Sequence, residues 1–359
     1  MMIIRGTIIN HNQSFKGEMA FNEMIESISN IDGLYEDYII PGFVDLHCHG
    51  GNGFEVMEGW NSITELSKYH LLHGTTSIAP TTWTETLDKT YSALKGYNEE
   101  IDNYKNIIGI HLEGPFINPN KLGAQPPKTI KPDIKFLEEL MKISNVRIVT
   151  LAPELEGIEK IIEFLYQKKI NIQFGHSLAE YNRCIKYMDD YRIGFTHLYN
   201  AMSGNDHRNP GVLAAALNKG DFAEIIFDKH HVSTPSFQIA KKSIPFLYTI
   251  TDSIGVSGLK DGEYSFAGAE IEKQSGMVKI KGKNTLAGSI VTMDKTFLNL
   301  LEANCTPQEA VSLTSYNASK YLNEESIGEI SVSKKANFLI LDKNFNLKSV
   351  YLNGKEISR

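Results

Sequence analysis

Ile158-Glu159-Lys160-Ile161-Ile162-Glu163-Phe164-Leu165-Tyr166-Gln167-Lys168-Lys169-Ile170-Asn171-Ile172-Gln173-Phe174-Gly175-His176 reads as a helix followed by a strand. Ile158, Ile161, Ile162 and Leu165 recur at helical spacing, so one face of that helix is apolar. Ile172 to His176 is a short apolar run bounded by glycine, the signature of a buried strand, and it ends on a ligand-type side chain.

The same unit recurs along the chain. Strands are expected to end near Asp45–His49, Ile78–Thr82, Ile107–Glu113, Val146–Ala152, Ile172–His176, Ile193–His197, Ile225–Asp228 and Tyr248–Asp252. Helix-length stretches separate most of them, with Ile63, Leu66 and Leu71 as one further amphipathic example. Strand–helix alternation predicts an α/β fold with a parallel sheet, and eight units predict closure into a (β/α)8 TIM barrel. The two ends have a different texture. Ile3-Ile4-Arg5-Gly6-Thr7-Ile8-Ile9 at one end, and Phe338–Leu341 and Val350–Leu352 before Asn353-Gly354 at the other, read as short strands. Asn-Gly is a strong hairpin signal. Residues 1–41 and 322–359 are therefore expected to form a small β-domain beside a barrel of residues 42–321. Thr306-Pro307-Gln308-Glu309 reads as a capping box with proline at the first helical position.

Bulk properties narrow the function. The chain has 359 residues, 42% hydrophobic and 22% charged, ordinary for a globular enzyme. A net charge of −7 argues against a nucleic-acid or anionic-membrane binder, which needs a basic face, but not against a small anionic ligand held by local cations. Cys48, Cys184 and Cys305 are odd in number and widely spaced, so no disulfide framework is expected. Met1-Met2-Ile3-Ile4-Arg5 does not read as a signal peptide, and no run approaches the roughly 18 apolar residues of a membrane helix. A cytoplasmic enzyme is the expectation.

The chemistry lies in where the ligand-type side chains fall. His47 and His49 close the first strand, Glu113 the third, His176 the fifth, His197 the sixth and Asp252 the eighth. In such a barrel these ends open on one face, where the active site sits. His47-Cys48-His49 places two imidazoles on the same side of a strand, able to chelate one ion, with Cys48 turned away into packing. Glu113 ends an apolar strand and needs a cationic partner. With His176 and His197 on adjacent strands it makes a two-histidine, one-carboxylate set that leaves a position open for water, as catalytic metal sites require. Asp252 suits a general acid/base beside that water, the structural alternative being a helix N-cap. His111 sits deeper and reads as a hydrogen-bonded interior histidine. The ligands suit a divalent cation, zinc or ferrous iron foremost, one or two per chain.

These motifs resemble a known family. Pro41-Gly42-Phe43-Val44-Asp45 before His47-x-His49, His111-Leu112-Glu113-Gly114-Pro115-Phe116, Gly175-His176-Ser177, Thr196-His197-Leu198-Tyr199-Asn200-Ala201-Met202 and Thr251-Asp252 resemble the amidohydrolase superfamily and, within it, the N-acetylglucosamine-6-phosphate deacetylases. The resemblance runs from about Gly6 to Gly354. It implies hydrolysis of a phosphorylated N-acetyl amino sugar by metal-activated water, with Glu113, His176 and His197 as main ligands and Asp252 as acid/base. It further implies phosphate contacts at Asn200, Ala201 and Arg208, a substrate-contacting His231, and a sugar pocket lined by Leu286-Ala287-Gly288-Ser289 and Met293. It also implies a homodimer. Three departures stand out. His47-x-His49 replaces the Gln-x-Asn of single-metal members, Gln125 stands where many carry histidine, and Asp228-Lys229-His230-His231 lacks the usual glycine. Other amidohydrolases, such as those acting on cyclic amides, often carry a metal-bridging lysine on strand four; Val146–Leu151 has none.

Overall fold

The computed structural model of the protein describes residues 1–358. Eight strands form the barrel: Phe43–Cys48, Thr75–Thr82, Ile110–Glu113, Val146–Leu151, Asn171–Phe174, Ile193–Phe195, Phe222–Ile226 and Phe246–Ile250. The first six run parallel in one ladder in sequence order, and the last two pair with each other. The two sets join at their C-terminal rims. Leu198 N–H donates to the Glu224 carbonyl at 2.8 Å, and Asp252 N–H to the His47 carbonyl at 2.8 Å. Helices lie outside and bury the faces expected of them: Ile158, Ile161, Ile162 and Leu165 in the helix Ile158–Gln167, and Ile63, Leu66 and Leu71 in Trp60–Leu72.

The end opposite the rim is plugged. Val44, Ile148 and Phe222, from the early part of their strands, pack with Ala318, Tyr321 and Leu322. Tyr321 hydroxyl donates to the Ile172 carbonyl at 3.0 Å. The capping box is present: Glu309 N–H donates to Thr306 Oγ1 at 3.2 Å and Thr306 N–H to Glu309 Oε2 at 2.8 Å.

The chain ends meet in a seven-stranded sheet of order Lys355–Ile357, Leu347–Leu352, Phe338–Leu341, Tyr38–Pro41, Met2–Ile9, Ser14–Phe21, Ile25–Asn30. Asn353 and Gly354 make its two-residue hairpin, both left-handed at φ 46° and 72°, as a type I′ turn requires. Its own small core contains Ile8, Met19, Phe21, Ile39 and Phe338. Asn10 fastens the two ends by a reciprocal pair of 2.8 Å hydrogen bonds with the Ile330 backbone.

One element lies outside the sequence expectation. Between the eighth strand and the helix Met293–Glu302, residues Gly262–Phe266, Ala269–Gln274 and Met277–Ile280 form a three-stranded antiparallel sheet. Its signal was present, because the Ala267-Gly268 and Ser275-Gly276 turns are left-handed pairs between alternating segments. Phe266, Ile271 and Val278 pack on Ile254, Val256 and Ala287, which brings this sheet over the barrel mouth. Among the described residues no helix is long and apolar enough to cross a membrane.

Candidate active site

The ligand-type side chains are delivered by strand ends, though not all by the ladder itself. Glu113 is the last residue of the third strand and His47 lies within the first. His49, His176, His197 and Asp252 fall one or two residues past the regular strand, where the sequence reading had kept them inside it. Three of them bend the chain into the left-handed region: His176 at φ 48°, His197 at 31° and Asp252 at 46°. Such a conformation costs about 1–3 kcal/mol for a residue with a Cβ and gathers at functional sites.

The groups converge. Glu113 Oε1 lies 3.0 Å from His176 Nε2 and 3.0 Å from His197 Nε2, and those two nitrogens are 3.1 Å apart. Glu113 Oε2 lies 3.2 Å from His49 Nε2, and His49 Nε2 lies 3.2 Å from His47 Nε2. Asp252 Oδ1 completes the cluster at 3.3 Å from His49 Nε2 and 3.5 Å from His47 Nε2.

The far nitrogen fixes the orientation of three of the four rings. His176 Nδ1 donates to the Lys121 carbonyl at 2.7 Å and His49 Nδ1 to the Thr81 carbonyl at 2.9 Å, because a carbonyl can only accept. His47 Nδ1 meets the Glu224 carboxylate at 2.9 Å. Nε2 of each of these three rings therefore points at another Nε2 and at carboxylate oxygens, an arrangement that a cation between them would satisfy. Donor atoms about 2.1 Å from a common ion stand about 3.0–3.4 Å apart, so the observed separations fit metal ligation.

Charge says the same. Glu113, Glu224 and Asp252 are buried, and among the described residues no lysine or arginine pairs with them. Burial alone would push Glu113 up, but His47 and His176 hold it well below the usual carboxylate range. Burial opposes charge on His49, yet Asp252 and Glu113 raise it to about 9. His111 belongs elsewhere. Its Nδ1 donates to the Leu46 carbonyl at 2.9 Å, its Nε2 meets Thr150 Oγ1 at 2.8 Å, and burial lowers it to about 4, as a structural histidine should be. Cys48 is buried on the far side of its strand, 3.1 Å from His70 Nε2.

A cavity of about 430 Å³ opens above the cluster. Its walls include His49, Glu113, Gln125, His176, His197, Asn200, Ala201, His231 and Asp252, with His47 beneath. Gln125 accepts from Thr84 N–H at 2.6 Å and donates to Glu113. His231 is locked by Asp228, which takes its Nδ1–H at 2.7 Å and its backbone N–H at 2.8 Å. Lys229 adopts φ 70° in place of the family's glycine, so the loop closes without it. Asn200 N–H is spent on the His197 carbonyl at 2.9 Å, which removes it from an anion cradle.

Four residues expected at the substrate lie off the wall: Ala287 packs in the core under the inserted sheet, Ser289 Oγ donates to the Thr251 carbonyl, and Met293 and Arg208 lie elsewhere. Met293 is fully buried in the main core at the start of its helix, packed inward where a sugar-pocket position was expected. Arg208 is exposed in the loop after the sixth strand, where Asp206 holds its backbone N–H. Among the described residues the lysine or arginine that lines the cavity is Lys121, which the sequence reading missed, as it missed Phe266 on the wall and Glu224 beneath it.

Comparison with known proteins follows the geometry. The amidohydrolase family profile matches residues 38–357. The N-acetylglucosamine-6-phosphate deacetylase of Bacillus subtilis (strain 168) is 34% identical over 327 residues, 86% of this chain and 82% of that one. An N-acetylgalactosamine-6-phosphate deacetylase of Escherichia coli O157:H7 is 31% identical over 333 residues, 89% of this chain and 87% of that one. The crystal structure of N-acetylglucosamine-6-phosphate deacetylase from Thermotoga maritima superposes with a TM-score of 0.92 at 27% identity, over 100% of both chains.

Proposed function

This chain belongs to the amidohydrolase family, and from that premise we propose that it hydrolyses N-acetylglucosamine 6-phosphate to glucosamine 6-phosphate and acetate. The observation that carries the reading is the convergence of His47, His49, Glu113, His176, His197 and Asp252 at the floor of one open cavity. Its volume lies in the range of small-molecule sites, about 300–1,000 Å³.

Glu113, His176 and His197 would hold the main divalent ion, zinc or ferrous iron, and His47 and His49 a second. An ion bound there supplies Lewis acidity toward water and the acetamide carbonyl. Asp252 takes the proton of the attacking water and returns it to the sugar nitrogen as the carbon–nitrogen bond breaks, leaving acetate and a free amine. His231, with Nδ1 committed to Asp228, offers Nε2 to the substrate. Phe266 and Ala124 supply the apolar side of the cavity and exclude bulk water. Lys121 is the cation at hand for the phosphate; Arg208, exposed in the loop after the sixth strand, would serve the cavity of a second subunit in a homodimer. Three buried free cysteines suit a cytoplasmic home. The small β-domain of residues 1–41 and 322–359 around a hydrolase domain of 42–321 is part of the same reading.

Acetate release tests it. N-acetylglucosamine 6-phosphate should be turned over far faster than unphosphorylated N-acetylglucosamine, with N-acetylgalactosamine 6-phosphate as the competing sugar. No acetate from either phosphorylated sugar with metal-replete protein would overturn the assignment.

A further inference from the structure

Glu224 lies in the seventh barrel strand, fully buried, below the cavity and outside its wall. Oε2 accepts from His47 Nδ1 at 2.9 Å. Oε1 accepts from Gln173 Nε2 at 2.8 Å, and the same amide nitrogen reaches Tyr248 Oη at 2.8 Å. Gln173 Oε1 in turn accepts from Thr196 Oγ1 at 2.8 Å. The residues of this network come from five different strands or their ends, so the carboxylate is held in one orientation. His47 is its only ion-pair partner among the described residues.

Both carboxylate oxygens act as acceptors, roles that a neutral glutamine could fill at only one of the two positions. Oε2 faces His47 Nδ1 at 2.9 Å and, more distantly, the His197 N–H at 3.4 Å. The four histidines of the cluster differ here. His49 and His176 lean on neutral carbonyls, and His197 Nδ1 has no partner among the described residues. Only His47 is backed by a carboxylate. That hydrogen bond fixes the tautomer with Nε2 bare toward His49 and makes the imidazole a stronger donor to a cation. Among the described residues no lysine or arginine pairs with Glu224, so its charge acts on the cluster through His47.

We propose that Glu224 is the positioning residue of His47, holding its Nε2 toward the second ion of the reading above and setting how tightly that ion is kept. The inference rests on the metal-dependent reading above. A carboxylate behind a ligating histidine typically changes metal affinity by about 10–100-fold.

The test counts ions and needs no substrate. The protein as isolated is equilibrated against a series of buffered free Zn²⁺ concentrations, and zinc per chain is measured. The wild type should fill in two steps. In Glu224→Gln the second step should move to about 10–100-fold higher free zinc with the first unmoved. Glu224→Asp, which keeps the charge at shorter reach, should fall between, and it carries the measurement if the glutamine variant fails to fold. A wild type that stops at one ion overturns the proposal. So does a second step that coincides in variant and wild type, or a shift of both steps together, which would mark a merely structural role. Two ions and no acetate release would sink the deacetylase reading and leave this one standing.

Discussion

Replacing Asp252 with asparagine separates two roles that geometry alone allows. The residue sits at φ 46°, its N–H donates to the His47 carbonyl at 2.8 Å and its carbonyl accepts from Ser289 N–H at 2.8 Å. Asparagine is among the side chains that tolerate this left-handed backbone, so Asp252→Asn keeps the turn. What it removes is a proton acceptor 3.3 Å from His49 Nε2 and 3.5 Å from His47 Nε2. Were Asp252 only a structural tie, the loss of a charged hydrogen bond would cost about 1.5–3 kcal/mol of stability and leave turnover alone. As the acid/base, its loss should lower kcat by about 10²–10⁴-fold, or about 2.7–5.5 kcal/mol of transition-state stabilisation. KM should stay near the wild-type value, because Lys121, Asn200 and His231 still line the cavity. Glu113, His176 and His197 are untouched, so the main ion should be retained. Steady-state acetate release, run beside metal analysis and thermal unfolding, reads all three. A variant with its main ion, a lowered melting point and kcat within about tenfold of wild type would refute the assignment.

The phosphate should be read by local cations in an otherwise acidic chain. Lys121→Ala and Arg208→Ala should each lower kcat/KM for the phosphorylated sugar by about 10–150-fold and spare the neutral sugar; equal losses on both sugars would return the residue concerned to a structural role. Gly288 stands at φ 58°, where an added Cβ would lie 2.5 Å from Ile254 Cγ2 and 3.0 Å from the Asp252 carbonyl. Gly288→Ala should cost about 1–3 kcal/mol in denaturant unfolding, and an unchanged midpoint would show that this turn is slack.

The barrel and its ligands were legible for one reason. Buried parallel strands read as short apolar runs, and a histidine or carboxylate that ends such a run has few inexpensive explanations. His47, His49, Glu113, His176, His197 and Asp252 all stood out this way, and the structure brings all six together. Residues whose role depends on a neighbour's placement were not legible. Glu224, in Phe222-Ala223-Glu224-Ile225-Ile226, looks like an outward polar position of a strand until the barrel closes around it. Lys121 and Phe266 reach the cavity from segments without ligand signatures, one of them the sheet inserted after the eighth strand. Met293 was placed by family resemblance alone, and a helix start that packs inward took it from the wall to the core.

The middle of the barrel explains why so much charge can be held at its mouth. His111, Thr150, Gln173, Thr196, Glu224 and Tyr248 form a polar layer, each joined by hydrogen bonds to residues on other strands. Beneath it the interior is apolar, with Val44, Ile148 and Phe222. A half-satisfied polar layer would be worse than an apolar one, but a connected one is rigid. That rigidity lets three left-handed turns persist at His176, His197 and Asp252, since the strands on either side over-determine where each turn must lie. It also leaves the cluster no inexpensive way to relax. Four imidazoles and three buried carboxylates cannot move apart without breaking the layer that holds them. A divalent cation would satisfy the facing nitrogens and oxygens, and the cavity above the cluster is open to one.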